Sequence, residues 1–550
     1  MKARLLSRPQ RIIIPLLMCF SVNVAAGKAT VRLFDDLDTH HYPVSTLSPL
    51  AQRYFDQGLI LSFGFNHAEA ARSFRQAYSL DTDCAMCYWG EALVLGPNIN
   101  APMDPAVVPQ AYQSAQKALE LSQSKPKKEQ ALIRALFKRY AREIYQDRTA
   151  LDRYYAAAMR DVANQFPDDA VIASLFAESL MDMHPWDFWT KQGDARPWTA
   201  EIVSTLERAL EIDANNPLAN HLYIHVLEAS PYVQKAVASA ERLPSLVPGS
   251  GHLVHMPAHI YIRVGRYRDA IRANQQAVKI DRGYLSHAHA ESIYTLAYVP
   301  HNHHFLWAAA IKTGQKALSS NAAADTASQV DADMMREPGF SGTLQHFYMI
   351  PLYTKALFGE WEAILNEPAP EADLVYASGV WHYARGLAML RQGRIDEAVR
   401  ELNSLEKLIA DPAAVELTVF DLNSVARILQ IGAEILHGEL AAQNKNYDEA
   451  VAHLQKAVEI EDALNYTEPK DWYLPPRQVL GAVLLAAGRA GEAELAYRQD
   501  LLDHPQNGWS LFGLAQSLRE QGSTKEADEV QQQFEQVWAD ADVKLASSRF

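Results

Sequence analysis

Cysteine is nearly missing from this chain, with three in 550 residues at positions 19, 84 and 87. A disulfide-built scaffold is therefore excluded, and a four-thiolate metal site has too few ligands. Tyr88, not histidine, follows Cys87, which excludes haem attachment at that pair. Positive charge is also in deficit, with a formal net charge of −15. An acidic body argues against nucleic acid and anionic lipid as partners, because both are gripped by basic surfaces. Beyond residue 26 no run of 18 apolar residues occurs, so no membrane anchor is expected in the mature chain. Val-Ile-Thr alternation is scarce, which disfavours sheet. No Gly-rich phosphate loop and no Gly-x-Ser-x-Gly elbow appears.

What is present begins with an N-terminal export pattern. Lys2, Arg4, Arg8 and Arg11 precede the apolar stretch from Ile12 to Val24, and Val24-Ala25-Ala26 offers small residues for cleavage before Gly27. Cys19 follows Met18, not a small residue, so a lipid anchor is not expected. A periplasmic or secreted protein follows. In that setting Cys84 and Cys87 read as a local disulfide. The remaining chain, rich in Ala, Leu and Glu, is far longer than one ordinary core requires, so several domains or a repeat array is expected.

A repeat is legible. Gly58, Ala70, Phe74 and Ala77 lead into a Leu80-Asp81 ending, and Ala209 to Asp213 closes another unit. Gly265, Tyr267, Ala270, Ala277 and Asp281 keep the same spacing. Gly386, Gly393 and Ala398, then Gly438, Tyr447, Ala450 and Ala457, then Gly481, Gly488, Ala493 and Pro505 continue it, and Gly522 with Ala527 ends it. Units of about 34 residues with small residues at fixed places resemble tetratricopeptide repeats, each a helical hairpin. The resemblance implies an all-α, tetratricopeptide-type solenoid over nearly all of residues 51–540. A narrower resemblance, to a family of exported bacterial proteins of this type with no settled activity, rests on six phrases. These are Phe65-Asn66-His67, Cys84 to Gly90, Gly96 to Asn100, His184-Pro185-Trp186, Gly251 to His259 and Trp472 to Arg477. The expected layout is a signal peptide at 1–26, an extension at 27–50 and a first solenoid at 51–318. An Ala/Ser/Asp-rich helix or linker at 319–345 then leads to a second solenoid at 346–550. Insertions at 96–106 and 184–198 should sit at the solenoid rim.

Chemistry is concentrated in the histidines, ten of whose nineteen fall within residues 221–304. The fold resemblance places the second, fifth, ninth, twelfth and thirteenth residues of each repeat on the concave groove. Counted from separate anchors, His221, His225 and Glu228 fall at such places, as do His252, His255, His259 and Arg263, His301 and His304, His346, and Glu178. Residues three, four and seven apart share a helix face. Imidazoles and carboxylates converging from adjacent hairpins are the usual ligands of zinc, iron or copper. The expected ligands are drawn from His221, His225, Glu228, His252, His255, His259, His301, His303 and His304, flanked by Glu178, Arg263 and His346. Pro257 interrupts the predicted helix and offers an alternative in which His252 and His255 ride on a preceding loop.

Blander readings stand beside this one. A single histidine is more often a structural group than a ligand. His382 reads as core, His437, His453 and His504 as surface or capping groups, and His40, His41 and His67 as structural. Trp89, Trp186, Trp189 and Trp307 read as packing. His221 to His225 lacks the glutamate that follows the first histidine of a zincin hydrolase. Three functions remain: a metal-binding groove, with or without catalysis by an activated water or dioxygen; an envelope scaffold for a protein or peptide partner; and a receptor for an organic ligand. Nothing in the pattern chooses an oligomeric state.

Overall fold

The structure is a computed structural model that describes residues 31–37, 40–145, 147–286 and 292–550. The expected signal peptide lies outside the described residues. Helices follow one another from Pro49–Phe63 to Thr524–Val537, and the only sheet among the described residues is a two-stranded ribbon. No helix of the described residues is long and apolar enough to cross a membrane.

Helix starts are set by local chemistry. Ser48, Asp169, Asn216, Ser250 and Ser424 each accept a hydrogen bond from a backbone amide in the first turn of the helix that follows. This satisfies donors that the helix itself leaves open. Hairpins then pack through the small residues that mark the repeat. Phe74 is wedged between Gly58 and Gly90, where an added Cβ would lie 2.8 and 2.3 Å from its ring. Tyr497 is held in the same way between Gly481 and Gly513, at 2.4 and 2.1 Å. Burying one such ring stabilises the stack by about 1.5–3 kcal/mol, and only glycine leaves room for it. At Gly393 and Gly488 there is open space but φ is 75° and 73°, so there the turn itself requires glycine.

Residues 33–550 form one compact unit. The stretch expected to divide two solenoids is the helix Lys316–Ser328 followed by a short 3-10 turn, and that helix packs against both of its neighbours. The array also turns back on itself. Trp509 Nε1 donates to the Ile311 carbonyl at 2.8 Å, the Asp542 carboxylate accepts from the amides of Lys316 and Ala317, and Trp538 lies against Gly314. This closure brings late segments over the concave face of the middle repeats.

Candidate metal centre

The helix Pro217–Glu228 presents His221, His225 and Glu228 on one face, all three buried. In the next hairpin Ser250 caps a short helix, Gly251–His255, and Pro257 opens another, Pro257–Arg263. The helix does restart at Pro257, but His252 and His255 ride on a short helix and not on the loop that the alternative reading gave them. Met256 keeps right-handed helical angles between the two, so the chain bends at Pro257 without abandoning its direction. His252, His255 and His259 therefore all reach the same hollow. His301 enters from the helix Val299–Lys312.

Six imidazoles form two triads, His221–His225–His252 and His255–His259–His301, and within each the ring nitrogens lie within 4.8 Å of one another. In the first, the Nε2 of His221 is 3.0 Å from that of His225 and 3.1 Å from that of His252. In the second, the Nε2 atoms of His255 and His259 are 2.9 Å apart. The opposite nitrogens of four rings are held, while His252 Nδ1 is buried without a partner. His221 Nδ1 meets the Phe63 carbonyl at 2.6 Å, His225 Nδ1 meets Glu228 Oε1 at 2.8 Å, and His255 Nδ1 meets Asn274 Oδ1 at 2.7 Å. His259 Nδ1 meets the other Glu228 oxygen, Oε2. The Asn274 amide is oriented by its own donation to the Ala270 carbonyl at 2.8 Å.

These partners decide the tautomers. A carbonyl oxygen, an amide oxygen and an ionised carboxylate can only accept, so His221, His225, His255 and His259 carry their proton on Nδ1. Each then turns a bare Nε2 lone pair towards another at hydrogen-bond distance. A proton shared between two rings would relieve one such pair. Relieving both would bury two imidazolium ions against the single Glu228 carboxylate, which burial makes costly. Burial lowers the His221, His252, His255 and His301 basicities well below the usual imidazole range, and that of His225 as well. Burial alone would raise the Glu228 carboxyl, but His259 and the two imidazole hydrogen bonds pull it down to about 2.

Four of the six triad residues, His225, His252, His259 and His301, line a cavity of about 200 Å³. Its walls carry the aromatic rings of Trp186, Tyr298, Phe340, Phe420 and Tyr466, with the carboxylates of Asp421 and Glu468 among the other lining groups. Asn100 and Trp186 come from the two expected insertions, and Asn100 Nδ2 donates to the Tyr298 hydroxyl at 2.8 Å. Phe420 sits in the turn of the ribbon Thr418–Val419 with Asn423–Ser424, in left-handed conformation, and the ribbon's Thr418 carbonyl rests on Gly342. Tyr466 lies on the segment after the helix Tyr447–Asp462, tied to the ribbon by Asn423, which donates to the Asn465 carbonyl at 3.0 Å. Phe420 and Tyr466 have no repeat-register signal. They are delivered by the closure of the superhelix. Phe65, whose ring lies 4.6 Å from His221, belongs to a phrase that the sequence did single out.

Several expected ligands take other places. Glu228 belongs to neither triad, because both of its oxygens are spent on Nδ1 atoms. His303 stands about 200° around the helix from His301 and faces Asp325 at 3.5 Å instead. His304 faces His346 of the next hairpin, with ring centres 5.1 Å apart, and joins no triad. Arg263 donates to the Glu228 carbonyl at 3.0 Å. Glu178 lies beside Asp182, which pairs with Arg139 at 2.7 Å. Burial raises the Glu178 carboxyl, and Asp182 raises it further. His382, read as core, is half-buried and paired with Glu401 at 2.6 Å. Cys84 and Cys87 are joined as a disulfide at the start of the helix Ala85–Val94.

The chain folds as successive helical hairpins of the tetratricopeptide type, and residues 435–463 match the tetratricopeptide repeat family. No curated protein matches it. Among solved structures it is similar to the human IFIT1 dimer with m7Gppp-AAAA, at 14% identity and a TM-score of 0.30, covering 90% of this chain and 92% of that one. It is also similar to the P58(IPK) TPR domain, at 12% identity and a TM-score of 0.21, covering 86% and 99%. Scores this low establish neither a shared superhelical shape nor a shared function.

Proposed function

We propose that this helical-repeat protein binds a transition metal in its central groove, through imidazoles from three successive hairpins. The observation that carries the reading is the facing of bare Nε2 lone pairs, each fixed by an acceptor on the far side of its ring. Such an arrangement is repulsive by itself and attractive around a cation. A transition ion with nitrogen bonds of about 2.0–2.1 Å and ligand angles of about 90–110° sets its donors about 2.8–3.4 Å apart. The separations of 2.9–3.1 Å between these nitrogens fall in that range. Acceptors behind the metal-binding ring are also how proteins orient histidine ligands. Zinc, copper and iron all suit imidazole donors. Because the donors border a cavity, an ion there has a side from which water, dioxygen or a small substrate can approach, which is what a metal-dependent enzyme requires.

The test is metal content of the natively purified chain beside a His221→Ala/His255→Ala variant. Stoichiometric metal in the first and little in the second is expected. Equal, negligible metal in both sinks the proposal. Export to an oxidising compartment suits the Cys84–Cys87 bridge, and a mature N-terminus at Gly27 is its check.

A second reading, an envelope scaffold for a protein or peptide partner, is favoured by the tetratricopeptide fold itself. The Phe420 and Tyr466 segments cover the central groove and leave a hollow suited to a small molecule. A partner would therefore dock on another face, and its capture would be unaffected by chelators.

A further inference from the structure

The metal-binding reading leaves the number of ions open, and the following rests on that reading. We propose that the groove holds a pair of ions side by side, one on each histidine triad, with Glu228 as the buttress between them. Three observations carry this. Each triad separately brings three ring nitrogens together, so neither needs to borrow a ligand from the other. Each triad separately contains a pair of Nε2 lone pairs facing each other, at 3.0 Å in one and 2.9 Å in the other, so a cation in one leaves the conflict in the other. Finally, Glu228 serves both, with Oε1 on His225 of the first and Oε2 on His259 of the second. Each of its oxygens already accepts from an imidazole, and neither joins a triad. It acts instead as shared counter-charge and shared orienting group.

The two positions are neighbours. Across the triads the rings of His225 and His259 lie 5.7 Å apart, and those of His252 and His255 lie 5.9 Å apart, centre to centre. An ion of the usual four-coordinate kind has no place for six nitrogens. Two ions have, one on each triad, as neighbours of the kind that two-metal sites hold. Both open towards the same cavity, since His225 and His252 of the first triad and His259 and His301 of the second border it. A small molecule in that cavity would meet both ions at once.

Copper is the probe, because three imidazoles suit it and its divalent form reports its neighbours magnetically. The full chain, stripped with a chelator and reloaded, should retain two coppers per chain after desalting. His252→Ala and His301→Ala should each retain one, while His304→Ala, outside the triads, should retain two. In electron paramagnetic resonance the wild type should show far fewer than two spins per chain because adjacent Cu(II) ions couple. Each single variant should show one full, isolated spin. The wild-type spectrum needs no variant to fold, and the melting temperature of each variant identifies any that does not. One copper per wild-type chain with one full spin overturns the pair and leaves metal binding intact. Two coppers with two uncoupled spins overturns the side-by-side arrangement. No retained copper or other metal removes the underlying reading as well.

Discussion

Histidines in the outer repeats and histidines in the central groove look alike from one side and opposite from the other. His437 meets Glu406 at 2.9 Å and His453 meets Glu434 at 2.7 Å. His225 and His259 meet Glu228 in the same manner. The difference lies at the second ring nitrogen. His437 and His453 keep 33% and 30% of their side chains exposed, so water satisfies whatever the carboxylate leaves. His225 is 2% exposed, and its second nitrogen faces another imidazole. A carboxylate behind a histidine is thus no mark of a metal site. Convergence of the nitrogens in front is what the proposed metal site rests on.

Removing ligands should break this contrast most strongly. His225→Ala is expected to lower metal affinity by at least about 100-fold, because the first triad loses a donor and its carboxylate-oriented ring together. His437→Ala should leave affinity unchanged within error. Competition against a chromophoric chelator measures both, and equal effects would show that position in the groove is irrelevant. Next comes Glu228→Gln. A glutamine amide can accept from only one of the two Nδ1–H groups, so both triads should weaken, each by about 10–100-fold. Asn274→Ala should do less, about 10-fold, and only to the second triad, where it frees the His255 ring. If Glu228→Gln weakens one triad alone, the carboxylate is not shared as the geometry indicates.

The repeat and the groove were legible in the sequence because both follow periodic rules. Small residues recur where rings such as Phe74 and Tyr497 must fit, and helical spacing placed His221 with His225 and His255 with His259. Counting from independent anchors even brought His301 to the right hollow. Three things were not legible. Residues adjacent in sequence diverge on a helix, and only the neighbouring helix reveals that His304 meets His346 instead of the triads. Glu228 was read as a ligand because spacing fixes its face but cannot tell that its oxygens stop at Nδ1 atoms. Phe420 and Tyr466 lie beyond any local rule. They arrive through the closure of the superhelix and the ribbon at Thr418–Ser424, whose positive-φ turn at Phe420 and Asp421 carries no glycine to announce it.

The same contrast extends to the buried acids and gives the smallest of the expected effects. Glu228 faces two imidazole donors and stays ionised, whereas Asp471 beneath the Tyr466 segment receives Asn423 Nδ2 at 2.8 Å on one oxygen and no partner for Oδ1. Burial pushes the Asp471 carboxyl up to about 7, against the lowering effect of its hydrogen bonds from Asn423 and Thr467. An unfolded aspartate titrates near about 3.9. The folded state therefore prefers the protonated acid, so this group's contribution is fully present below about pH 4 and is lost as pH rises through about 7. Asp471→Asn removes the charge while keeping an oxygen for Asn423. Its melting temperature should exceed that of the wild type by about 1–2 °C at pH 8, for a gain near 1 kcal/mol in a chain this long. At pH 4.5 the two should coincide or the variant should melt slightly lower. Parallel melting curves at both pH values would mean that Asp471 is as well served by its donors as Glu228 is, and the distinction between the two buried acids would fall.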